Sequence, residues 1–122
     1  MANRQKQPVR VETIVTYEKA KDILEKINST SFTVLKDAVI AAAIRYARIR
    51  TDWRLKSIEE RKEANTARTF AHNALIDSCN ILSRNMLKAG EDIQWRKMLG
   101  DDRKEIGDFA CFLHCILGVQ AR

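Results

Sequence analysis

The sequence predicts an all-α fold: a bundle of about four main helices, with one long central helix at about 58–89 and an apolar C-terminal helix. Three observations carry this. Breakers are scarce, since the 122 residues hold four glycines and one proline, and Pro8 lies within the first ten. Apolar residues recur at helical spacing rather than in alternation. Ser57-Ile58-Glu59-Glu60 has the residues of a capping box, a strong helix-start signal. The length suits one domain with one core, expected over 13–122 behind a flexible basic arm over 1–12.

The elements follow in order. Residues 1–10 carry three basic groups and almost no apolar ones, as a frayed arm would. Helix one is expected over about 15–27, with Tyr17, Ala20, Ile23, Leu24 and Ile27 on one face and charges outside. Asn28, Ser29, Thr30 and Ser31 favour a turn, because their side chains compete with the backbone ladder. Helix two is expected over about 32–55. Its first half is rich in small residues, which suggests burial; its second half is basic and aromatic. Helix three follows at once, so the pair forms a tight hairpin or one bent rod. It closes at Lys88-Ala89-Gly90, with a cation at the negative end of the dipole and a glycine for a left-handed stop. Such a helix is about 48 Å long, against a radius of gyration of about 14 Å for a compact chain of this size. Its charged first turns should therefore project, or a second subunit covers them. Residues 91–101 suit one short turn bearing Trp95, Met98 and Leu99. Asp101 or Asp102 caps a last helix over about 103–119, expected to be the most buried segment from Phe109 onward.

Composition narrows the setting. The N-terminus holds no apolar signal segment. The longest apolar run, 109–119, has 11 residues including His114, too few to span a bilayer. Three cysteines, an odd number, suit reduced thiols, and a cytoplasmic location is expected. Net charge is +6 and uneven: residues 31–57 hold six basic groups against two acidic, a net +4. That permits a nucleic-acid partner without requiring one.

Four constellations are candidates for function. The first is a polar row on the central helix: Asn73, Asp77, Asn80 and Arg84. These fall within roughly 60° at about 100° per residue. Asn and Asp are poor mid-helix residues, so a compensating partner is expected. A buried network that sets helix register, across a dimer axis or within the chain, is the favoured reading. The second is the basic–aromatic run Arg45, Tyr46, Arg48, Arg50, Trp53, Arg54 and Lys56. Arginines bind phosphates and aromatics stack on bases, though salt bridges to Glu59, Glu60 and Glu63 across the hairpin would also explain it. The third is Cys111, His114 and Cys115 on one helix face. Cys79 or His72 could complete a zinc set, but paired CxxC units are missing and packing is the simpler role. No metal and no cofactor are expected.

The fourth is Arg68 with His72, one turn apart. His can act as general acid or base and Arg can stabilise phosphate charge. Arg68-Thr69-Phe70-Ala71-His72 resembles the signature of the HEPN ribonuclease superfamily, an Arg followed by a His, here with three residues between. The resemblance implies RNA cleavage by these two residues in an open cleft, usually across a dimer axis. The stretches 68–86 and 90–118 also resemble a family of small uncharacterised all-helical proteins of Gram-positive bacteria, which implies no activity. The expected function is thus that of a non-enzymatic interaction or regulatory protein acting as a homodimer. The alternatives are a HEPN-like ribonuclease and a nucleic-acid-binding scaffold on 45–56.

Overall fold

The computed structural model describes residues 14–120; the expected basic arm over 1–12 lies outside the described residues. Five helices form among the described residues: α1 (Tyr17–Asn28), α2 (Thr33–Arg54), α3 (Ile58–Lys88), α4 (Gln94–Lys97) and α5 (Arg103–Gln120). There is no strand among the described residues, and no helix among them is long and apolar enough to cross a membrane.

Local chemistry sets the ends. Thr16 caps α1 by accepting from the Lys19 amide at 3.1 Å. Ser57 and Glu60 form the expected capping box: Ser57 Oγ accepts from Glu60 N at 3.2 Å, and Glu60 Oε1 accepts from Ser57 N at 2.9 Å. At the other end of α3, Gly90 has φ 78°. The Gly90 amide then donates to Leu87 O at 3.0 Å, and Glu91 N to Met86 O at 2.8 Å. These two bonds make a Schellman motif, whose left-handed residue glycine adopts without strain.

The joint between α2 and α3 is a hairpin, not a bent rod. Trp53 meets Arg61, and Tyr46 meets His72, so the helices run antiparallel. α2 packs on α3 and α5, whereas α1 packs on α5 and α4. One apolar cluster joins them: Ile23, Leu24 and Ile27 from α1, Val39 and Tyr46 from α2, Leu75, Leu82 and Met86 from α3, with Trp95, Phe109 and Leu113.

Two burial expectations need correction. The small-residue half of α2 is buried on one side only: Val39 and Ala43 are enclosed, but Val34, Ala38 and Ala41 face outward, because α2 has neighbours on one flank. α5 is likewise two-faced. Phe109, Ala110, Leu113 and Ile116 are buried, while His114, Cys115 and Gly118 are exposed. The long helix does reach past the core, for its buried side chains begin only at Ala71.

Candidate functional site

The polar row sits on the outside of α3. Asn73, Asp77 and Arg84 are exposed and Asn80 is half-buried. They do not form the expected network within the chain: among the described residues no hydrogen bond or ion pair joins any two of them. The reason is angular. The core takes Leu75, Cys79, Leu82 and Met86, and the row lies on the opposite side. Asn73 Oδ1 instead meets His72 Nδ1 at 3.1 Å. Asn80 Oδ1 accepts from Arg96 Nε at 2.9 Å.

Arg96 was not legible as a hub. Besides Asn80 it donates to Leu99 O at 2.8 Å and to Asp101 at 2.6 Å, so one side chain ties α3 to the segment that leads into α5. Phe70 and Leu87 flank the row and are 64% and 61% exposed, more than apolar side chains of that size usually are.

The basic–aromatic run divides. Arg45, Arg48 and Arg54 are exposed and Lys56 is half-buried. Tyr46 is fully buried and cannot stack on a base. Trp53 is occupied: the guanidiniums of Arg61 and Arg68 lie 4.6 and 3.9 Å from its ring centroid. Arg50 pairs with Asp108 at 3.1 Å and donates to Cys111 Sγ at 3.7 Å. Gly107 makes room for it, since a Cβ there would stand 2.7 Å from Arg50 Cζ. Burial works against the Arg50 charge, but the contacts with Asp108 and Cys111 outweigh it and hold its pKa above the ordinary value. The expected salt bridges to Glu59, Glu60 and Glu63 do not form among the described residues. Arg61 closes the hairpin in their place by donating to the last carbonyls of α2, Trp53 O at 3.2 Å and Arg54 O at 2.9 Å.

Arg68 and His72 line no open cleft. His72 is 8% exposed, edge-on to the Tyr46 ring at 5.7 Å, with Nε2 enclosed. Arg68 covers Trp53 and donates to Asn65 Oδ1 at 3.1 Å. Burial and the nearby Arg103, Arg50 and Arg61 charges lower its pKa; Tyr46 opposes them. The apolar neighbours at Phe70 and Ala71 gave no sign that the ring would turn inward.

The cysteine–histidine face opens on a cleft of about 380 Å³ between α2 and α5, lined by Arg48, Asp52, Cys111, His114 and Cys115. Cys79 lies in the core instead. Among the described residues no three His, Cys, Asp or Glu side chains are placed to hold a metal ion. No family model, curated protein or solved structure matches this chain.

Proposed function

We propose that this chain is a non-enzymatic interaction module of regulatory type that works as an antiparallel dimer through the outer face of α3. The observation that carries the reading is the outward row Phe70, Asn73, Asp77, Asn80, Arg84 and Leu87, exposed except at the half-buried Asn80. Its spacing is the same from either end. A twofold axis crossing the helix between Asp77 and Asn80 therefore maps the row onto itself. Phe70 then faces the partner's Leu87, Asn73 faces the partner's Arg84, and Asp77 faces the partner's Asn80. Arg84 also reaches the partner's Asp77, one turn from Asn73. With the Asn80 oxygen engaged by Arg96, its amide NH2 is the group left to donate. The apolar ends supply burial and the polar centre fixes register, as in antiparallel coiled coils.

Sedimentation velocity at several concentrations tests this. The expected species is a dimer, and Arg84→Asp or Phe70→Asp should give a monomer with unchanged helicity. A wild-type monomer at every concentration, or a dimer indifferent to both substitutions, overturns the reading. The burial of His72 supports the non-enzymatic part, because a general acid or base must reach its substrate. RNA incubated with the protein should stay intact. Cleavage abolished by Arg68→Ala would favour the ribonuclease instead.

A further inference from the structure

Where α2, α3 and α5 meet, Arg50, Arg68 and Arg103 gather near one buried phenol. The Tyr46 ring is wholly enclosed, and its hydroxyl has no hydrogen-bond partner among the described residues. Arg68 Nε and His72 Nε2 are also buried without partners among the described residues. A neutral polar group left this way costs about 1–3 kcal/mol and a charged one such as the Arg68 guanidinium more, and three such atoms at one junction call for an explanation. Burial pushes the Tyr46 phenol up, and the Arg50, Arg103 and Arg68 charges pull it part of the way back. The contacts put the three guanidiniums at one junction: Arg103 donates to Thr69 Oγ1, next in the chain to Arg68, and Arg50 lies against Gly107, one turn along α5 from Arg103. The guanidiniums repel one another as well as attracting the phenol. Asp108 is the carboxylate that answers them, and it is shared between Arg50 and Lys104.

We infer that this junction is a phosphate-binding site, in which a dianionic phosphate group is held by Tyr46 Oη, Arg68 Nε and the Arg103 guanidinium. A trapped water would satisfy the hydroxyl but leave the guanidiniums repelling each other. A carboxylate offers one charge. A phosphate dianion answers both needs and has oxygens for the two orphan donors, Tyr46 Oη and Arg68 Nε. Entry needs only side chains to move: Arg103 is exposed and leaves Thr69 Oγ1, to which it donates at 3.1 Å, and Arg68 turns on its stem. Arg50 stays on Asp108 and supplies field rather than contact. The site is independent of the α3 dimer face.

The test is calorimetric titration with inorganic phosphate at constant ionic strength, chloride serving as the control. Saturable binding is expected, weakened about tenfold by Tyr46→Phe and by Arg103→Gln. Tyr46→Phe should leave the free protein as stable as before or more so, since it deletes an unpaired hydroxyl. A second titration compares a 5′-phosphorylated oligonucleotide with its 5′-hydroxyl form. Tighter binding of the phosphorylated strand assigns the site to nucleic-acid ends; equal binding of both, with inorganic phosphate still bound, assigns it to free phosphate. No phosphate binding at millimolar concentration overturns the proposal. So does binding that neither variant weakens, and Arg103→Gln, at an exposed position, keeps that outcome readable if Tyr46→Phe does not fold.

Discussion

Trp53 and Arg61, eight residues apart across the hairpin, exchange hydrogen bonds: Arg61 Nε donates to Trp53 O at 3.2 Å, and Trp53 Nε1 donates to Arg61 O at 3.3 Å. The guanidinium also lies over the indole. This reciprocal clasp turns α2 back along α3. Arg61→Ala should lower stability by about 2 kcal/mol, because it strips a cation from two helix-end carbonyls. Arg61→Lys should recover little, since an ammonium cannot reproduce the fork. Urea denaturation of the three proteins checks this; a fully rescued lysine variant would show that charge alone holds the corner.

Gly107 and Arg50 are coupled. Alanine at 107 gains about 1 kcal/mol of helix propensity, but its Cβ would displace the Arg50 guanidinium from Asp108. Gly107→Ala should therefore be close to neutral in the native protein and stabilising by about 1 kcal/mol when Arg50 is already alanine. Equal effects in the two backgrounds would mean that the close approach is incidental.

Acid should loosen the chain at three places: Glu91, Glu60 and Asp108. Burial works against the Asp108 charge, but its bonds to Lys104 and Arg50 outweigh that and lower its pKa. Glu91 accepts from Ser31 and from Thr30, at 2.6 Å for the latter, and these bonds hold its carboxyl below the ordinary 4.5. The capping-box bonds to Ser57 do the same for Glu60. A carboxylate whose pKa is lowered by folding adds stability that is complete above its unfolded value and is lost as pH falls through the folded one. The denaturation midpoint should be level above about pH 5 and decline below it, with a shallower decline in Glu91→Gln. An unchanged acid limb would refute the assignment.

The three thiols should react in order of exposure. Cys115 is exposed, Cys111 half-buried and Cys79 enclosed, and burial pushes the Cys79 thiol up to about 12. Alkylation of the native protein followed by mass spectrometry should mark Cys115 first and leave Cys79 unmarked until the chain unfolds. Early labelling of Cys79 would show that the core opens readily.

Much of the fold was legible because its signals are local. Ser57 and Glu60 declare a helix start within four residues, and Gly90 declares a stop by itself. The apolar spacing of Ile23, Leu24 and Ile27 marks the buried side of α1 without reference to any other helix. The candidate sites depend on what approaches from far along the chain. Asn80 was expected to bond within its own row, but its partner Arg96 comes from α4. Tyr46 lies beside Arg45 in a basic run, yet α3 and α5 close over it and leave Arg45 outside. His114 and Cys115 sit in a run so apolar that no stripe distinguishes the side facing water.

The neighbours of α1 have a consequence for the order of events. It packs chiefly on α5 and α4, and Tyr17 meets Phe112 edge to face at 6.0 Å. The first of the described helices thus rests on segments that follow it by more than sixty residues. The α2–α3 hairpin can form from its own contacts while the chain is still growing. α1 waits through the synthesis of some ninety further residues, on the order of ten seconds, with Ile23, Leu24 and Ile27 uncovered. During that interval the nascent chain presents an amphipathic strip, and its protection then falls to whatever meets the chain as it emerges.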